Sequence, residues 1–310
     1  LYLPNIAIFA LSIYAMQLLV YLLTYPILRL VSLLPFPILY LVSDFVYFLV
    51  YRVFGYRKKV VRSNLELVFP EKSTAELRSI ERIFYGHMCD MFLETIKTLN
   101  ISEEELKKRY ALPNIDLLLN LEKERSILVM FPHYGNWEWS IIVNVYVKSK
   151  GFAIYQKIGN VYFDRLIKRI RGIWSTTPIS QRETVITMAR NHQKGIKGVY
   201  GIVSDQSPQA HLAQYWTEFM NIKVPVYNSP EILARKYDHA VVFAKVTKVK
   251  RGYYNTEFIP IAKEGSMTKE NEITKQFLRL TEEEILENPA YYLWTHRRWK
   301  HRDKVPEEFL

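Results

Sequence analysis

The first 28 positions show no alternation of apolar and polar residues, and none of them is charged. From Asn5 to Thr24 the chain holds roughly 20 mostly apolar residues, the helix length that crosses about 30 Å of hydrocarbon. Pro26 is expected to break that helix. A secretory signal is the rival reading, but there is no basic leading region in view and no clear small-residue cleavage site. Residues 30–51 carry Asp44 as their one charge, and 38–51 reads as another apolar helix, buried or lying in a membrane interface. A basic stretch follows: Arg52, Arg57, Lys58, Lys59 and Arg62. Positive charge after an apolar segment marks the cytoplasmic face, so the polar bulk of the chain is expected there. The chain opens on Leu1, and its natural start is expected upstream.

Beyond this the pattern changes to that of a water-soluble fold. Ser63 or Asn64 is a candidate helix cap, and Pro70 ends that segment. Apolar residues at 80, 83, 84, 88, 91, 92, 95, 96 and 99 have helical spacing, with Ser73 or Thr74 as the cap. Short apolar runs at 127–131 and 199–204 read as buried strands. Residues 240–248 and 253–261 alternate and read as a strand pair. Helices are expected at 137–148, 161–173, 184–192, 229–237 and 266–288. Strands interleaved with helices predict an α/β fold with a central mixed sheet flanked by helices. The expected organisation is a membrane anchor over 1–28 and one main domain over 29–310, of which 29–56 are apolar membrane-associated helices.

Composition adds two constraints. Lys and Arg total 42 against 31 acids, a net charge of +11, which suits an anionic partner: nucleic acid, phosphorylated lipid or an acidic protein. Cys89 is the one cysteine, so no internal disulfide forms, and it reads as core. A nucleic-acid binder would need aromatics on a sheet face or a reading helix, and no such motif is visible.

The chemistry concentrates in FPHYGNWEW, residues 131–139. On one helix His133 and Glu138 point about 140° apart, because each residue turns about 100°. They meet if His133 leaves a strand end, Gly135 and Asn136 make the turn, and Glu138 opens the next helix. A base oriented by a carboxylate is a general acid–base arrangement, and the helix N-terminus offers N–H groups to an oxyanion. The plainer alternative is a histidine at a strand end and a glutamate that favours a helix start. No His-Glu-x-x-His or cysteine cluster supports a metal, and no Gly-x-Ser-x-Gly supports a serine hydrolase. Asp205 and Gln206 follow a buried strand, where open sheets place their sites, or else form an Asx turn. Arg297 and Arg298 lie between Trp294 and Trp299, a composition found at membrane interfaces, and are expected to meet lipid phosphate.

Five blocks, in order, resemble the lipid A biosynthesis (lauroyl/myristoyl) acyltransferases within the lysophospholipid acyltransferase superfamily. They are RKKVVRSNLELVFPEKS (57–73), FPHYGNWEW (131–139), YQKIGNVYFDRLIKRIRG (155–172), VSDQSP (203–208) and LWTHRRWK (293–300). The resemblance runs from about residue 27 to 303. It implies a glycerolipid-acyltransferase-like fold at a bacterial inner membrane, moving an acyl chain from acyl carrier protein to a hydroxyl of an anionic lipid A precursor, without a cofactor. It implies that His133 and Glu138 are the catalytic pair, and that Arg171 carries substrate phosphate or the oxyanion. Residues 213–221 read AQYWTEFMN, without the glycine of a phenylalanine-rich stretch common in relatives, so acyl-chain choice stays open. A relative acting on glycerophospholipids or aminolipids shares the pair. A basic membrane-anchored binding protein is the non-enzymatic alternative.

Overall fold

The computed structural model describes the backbone of residues 3–309 and the side chains of residues 14–309. The first helix, α1 (Leu3–Leu33), runs through Pro26 instead of ending there. Proline in a helix loses one backbone bond; the turns on either side of Pro26 stay helical, so the expected break at 26 is corrected to an end at Leu33. The segment Tyr14–Leu33 is long and apolar enough to cross a membrane, and so is Phe36–Val53. The latter comprises α2 (Phe36–Tyr47) and a π-helical stretch, Phe48–Val53.

Ser63 and Asn64 lie inside α3 (Lys58–Val68) and do not cap it; Arg57, in the left-handed region at φ 53°, stands at its start. Asn64 is buried and donates to the carbonyls of Trp294 and His296. Ser73 caps α4 (Thr74–Lys97) in a reciprocal box with Glu76. Then come α5 (Glu103–Arg109), β1 (Tyr110–Ala111), α6 (Asp116–Glu124) and β2 (Ile127–Phe131). A 3₁₀ helix, Trp137–Val145, takes the place of the α-helix expected at 137–148. β3 (Lys150–Tyr155), α7 (Val161–Arg171), β4 (Thr176–Ser180), α8 (Gln181–Gln193) and β5 (Gly198–Val203) follow. A separate hairpin, β6 (Trp216–Phe219) and β7 (Ile222–Pro225), precedes α9 (Ser229–Lys236), β8 (Ala240–Lys250), β9 (Tyr253–Ala262) and α10 (Glu272–Glu287).

Seven strands form one sheet in the order β1-β9-β8-β2-β5-β3-β4. Only the β8–β9 pair is antiparallel, so the sheet is mixed, as expected. β2 sits near its middle and every residue of ILVMF is buried, which is why it reads as an unbroken apolar run. β3 and β4 escape the sequence pattern because Lys150, Gly151 and Pro178 interrupt the alternation. α1 crosses the expected boundary at residue 28 and packs on the domain: Tyr21 stacks on Tyr162 of α7 at 5.6 Å, and the Val161 amide donates to Gln17 Oε1.

Candidate active site

The chain leaves β2 at Phe131, and Pro132 ends the ladder. Gly135 then takes φ +58°, and a Cβ there would lie 2.7 Å from Val246 Cγ1, so both conformation and space require glycine. Asn136 Oδ1 accepts from the Trp139 amide and caps the 3₁₀ helix. The turn is engaged on all sides: the Gly135 amide donates to the Tyr291 carbonyl at 3.0 Å, and the Leu293 amide to the His133 carbonyl at 3.0 Å. Asn136 Nδ2 donates to Glu94 Oε2 at 2.7 Å. The Gly135 amide and the Asn136 side chain therefore serve the turn.

β2 and β5 are parallel neighbours with Phe131 beside Val203. Two residues further along each chain stand His133 and Asp205, so the register itself brings them together. His133 Nδ1 lies 2.6 Å from Asp205 Oδ1. An ionised carboxylate only accepts, so Nδ1 carries the proton and Nε2 is the free base nitrogen. The Gln206 amide, 3.2 Å away, donates to that Nε2. Burial raises the Asp205 carboxyl, but the His133 charge and hydrogen bonds outweigh it and hold the group below its usual value.

The carboxylate on His133 is thus Asp205. Glu138, expected in that place, has both oxygens on the guanidinium of Arg171: Nε donates to Oε2 at 2.8 Å and Nη2 to Oε1. Burial raises Glu138 too, and the Arg171 charge and fork reverse the sign, keeping its carboxyl below the usual range, with a further contribution from His133. Arg171 is the last residue of α7 before Gly172, and its position at the end of that helix aims it at the 3₁₀ turn.

His133, Glu138, Arg171 and Gln206 line a cleft of about 490 Å³. Most of the remaining lining is apolar, including Met91, Phe92 and Ile96 from α4, Phe163, Leu166 and Ile170 from α7, and Leu28 from α1, with Thr95, Ser140, Gln156 and Gln181 as further polar members. Ala153 and Gly201 give it small side chains on the sheet side. A mostly apolar cleft with a few convergent polar groups fits a ligand with a hydrocarbon body and a reacting head. Among the described residues no cluster of His, Cys, Asp or Glu is arranged to hold a metal ion.

A sequence model of the bacterial lipid A biosynthesis acyltransferases matches residues 7–301. The chain belongs to this family. It is 24% identical over 255 residues to a lipid A biosynthesis palmitoleoyltransferase of Escherichia coli (strain K12), covering 79% of each chain. A lipid A biosynthesis acyltransferase of Shigella flexneri matches to the same extent. Membership of the family supports acyl transfer in lipid A biosynthesis as the activity.

The acyltransferase places its carboxy-terminal arginines differently from expectation. Arg297 is exposed, but Arg298 is 1% exposed, donates Nη1 to the Pro225 carbonyl at 3.1 Å and lies over Phe219. Trp294 and Trp299 are fully buried and stack on each other at 5.9 Å. This segment is core, so the expectation of an interfacial Arg298 is corrected: aromatic neighbours reflect packing behind the site, where Asp205 faces the Arg298 charge. Part of the basic stretch is tied down as well, since Arg57 donates to the Thr295 carbonyl and Arg62 pairs with Glu81 at 2.7 Å. Sequence reading missed His87, Glu94, Tyr254 and Lys248. The signal was present on α4: His87, Asp90, Glu94 and Lys97 are spaced 3, 4 and 3, a polar stripe on one helix face.

Proposed function

We propose that this acyltransferase moves a fatty acyl chain from an acyl carrier protein thioester to a hydroxyl of a lipid A precursor, with His133 as general base. The observation that carries the reading is His133, paired with a buried carboxylate, in the lining of a mostly apolar cleft. His133 Nε2 takes the hydroxyl proton as the oxygen attacks the thioester carbonyl. The tetrahedral oxyanion then collapses and expels the thiolate, which takes the proton from the imidazolium. The products are an ester and a thiol, and no acyl-enzyme or cofactor is required.

In this reading Asp205 orients the imidazole and balances its charge. Gln206 gives way to the incoming hydroxyl. Glu138 acts through Arg171, fixing a guanidinium that lines the cleft and can meet the oxyanion or an acceptor phosphate. The apolar walls take the acyl chain, and Arg297 remains on the surface for lipid phosphate. Residues 1–28 anchor the chain in the inner membrane, with 29–310 as the acyltransferase domain on the cytoplasmic side, and the +11 surface meets an acidic donor protein and an anionic acceptor.

The test uses protein purified in detergent micelles, a phosphorylated lipid A precursor, and matched acyl carrier protein and coenzyme A thioesters, with products weighed by mass spectrometry. The expected product gains one acyl group, the carrier-protein donor is used at least about 10-fold faster, and His133→Ala loses transfer by the 10²–10⁴-fold that a general base contributes. Equal use of both donors would overturn the donor assignment. A folded His133→Ala protein with near-normal transfer would overturn the mechanism.

A further inference from the structure

The polar stripe of α4 is buried: His87 5% exposed, Asp90 4%, Glu94 0% and Lys97 8%. Four ionisable residues inside a helix packed on the sheet are costly unless each is engaged. Each is engaged with one of two structures, the catalytic turn or the apolar helices at the front of the chain. His87 Nε2 donates to the Gly135 carbonyl at 3.1 Å, and its Nδ1 accepts from Lys248 at 3.2 Å. Lys97 Nζ donates to the carbonyls of Ser32 and Leu34, at the end of α1. Asp90 accepts from Ser43 of α2 at 2.7 Å and from Arg251, which also pairs with Asp44 of α2.

Glu94 engages both structures at once. Oε1 accepts from the Tyr40 hydroxyl of α2 at 2.9 Å. Oε2 accepts from Asn136 Nδ2 at 2.7 Å and from the Tyr254 hydroxyl at 2.9 Å. The Glu94 backbone carbonyl accepts from Trp139 Nε1 at 3.1 Å, and Thr98 Oγ1 takes a second share of that N–H. Asn136 and Trp139 bracket Glu138 and lie just beyond His133. Glu94 therefore holds the turn that carries both residues at two points, with its buried carboxylate at Asn136 and its backbone carbonyl at Trp139.

Resting on the His133 reading above, we infer that Glu94 is a positioning residue for acyl transfer: it sets the geometry of the His133–Glu138 turn and links that geometry to the seating of α2. Glu94 touches no cleft atom, so it acts only through Asn136, Trp139 and Tyr40. A displacement of the turn by about 1 Å lowers turnover by roughly 100-fold without weakening ground-state binding.

The experiment exchanges donor and acceptor across the central contact. Glu94→Leu removes the acceptor of Asn136 Nδ2, and Asn136→Asp faces a carboxylate to Glu94; each breaks the bond. Asn136→Asp with Glu94→Gln restores it in reverse, and an aspartate still caps the 3₁₀ helix. Each single variant is expected to lower kcat roughly 10- to 100-fold with KM for both substrates within about twofold. The double variant is expected to recover to within about fivefold of wild type. Tyr40→Phe, which keeps the turn contact and removes the α2 contact, is expected to lower kcat by about three- to tenfold. Thermal unfolding of each protein in micelles gives the folded fraction for normalising kcat. Normal kcat per folded molecule in Glu94→Leu would leave Glu94 a purely structural residue and overturn the inference. So would a double variant no better than the worse single. Wild-type kcat in Tyr40→Phe would remove the link to α2. His133→Ala is measured alongside: if it stays active, the mechanism has failed, whereas an inert His133→Ala with a normal Glu94→Leu isolates the failure to this inference.

Discussion

Replacing Arg171 by Gln should destabilise the acyltransferase more than replacing both members of its ion pair. The pair is a two-pronged bond with side chains 22% and 12% exposed. Removing one partner of a buried pair costs about 3–5 kcal/mol, because the other charge is left without compensation. This pair borders a cleft that admits water, so the lower end, about 3 kcal/mol, applies to Arg171→Gln. In Glu138→Gln the guanidinium is left on the cleft side and is more easily hydrated, and about 1.5 kcal/mol is expected. In the double variant neither charge remains, and the two amides can bond to each other. The coupling in the double-mutant cycle should then be about 1.5–3 kcal/mol. A kcal/mol corresponds to about 2–4 °C in a domain of 150–250 residues, so Arg171→Gln should lower the unfolding midpoint by about 6 °C or more. Thermal unfolding of the four proteins in one detergent, followed by tryptophan fluorescence, measures it. Additive losses, with coupling below about 0.5 kcal/mol, would refute the reasoning, since they would mean that the two side chains do not interact in solution.

Two further outcomes follow from other parts of the structure. Ala153→Phe fills the sheet side of the cleft and should shift preference toward shorter acyl donors; each excluded CH₂ is worth about 0.8 kcal/mol, so a donor two carbons shorter should gain roughly 15-fold in relative kcat/KM, and unchanged selectivity would mean that the chain lies elsewhere. His239, 3% exposed and stacked on Tyr200, is held at about 4 by burial and by the His192 charge, against about 6.5 for a free imidazole. Its folded pKa is depressed, so the unfolded chain takes the proton first, and stability falls as pH drops from about 6.5 toward 4, by up to about 1.4 kcal/mol per unit. His239→Phe should flatten the stability–pH slope in that window by up to one proton, and an unaltered slope would assign the loss to other groups.

The sheet was legible where strands are buried on both faces, as in ILVMF of β2, because burial on both sides leaves an unbroken apolar run. It was not legible at β3 and β4, where Lys150, Gly151 and Pro178 interrupt any period. His133, Glu138, Arg171, Asp205 and Gln206 were all visible as candidates, and the fold gathers all five on one cleft or immediately behind it. Their pairing was not visible, because it depends on the β2–β5 register, and register joins residues 72 apart in sequence. Proximity in sequence favoured Glu138 as the partner of His133; the parallel ladder instead sets Asp205 opposite it. The arginines near the carboxy terminus misled for the same kind of reason. Trp294 and Trp299 have the composition of a membrane interface, but they pack against Phe219 and Tyr292 inside the fold and enclose Arg298 with them.

The central claim is that Asp205, not Glu138, orients the His133 base. Turnover at saturating donor and acceptor for Asp205→Asn and Glu138→Gln, each set against His133→Ala, tests it most directly. An asparagine at 205 keeps the shape but removes the charge and favours the wrong tautomer; in a serine-protease triad the equivalent change lowers kcat about 10⁴-fold. Asp205→Asn is expected to fall by at least about 10³-fold, close to His133→Ala. Glu138→Gln, which loosens Arg171 but leaves the His133–Asp205 bond intact, should lose roughly 10- to 150-fold. Glu138→Gln as inert as His133→Ala, with Asp205→Asn retaining near-normal turnover, would contradict that claim.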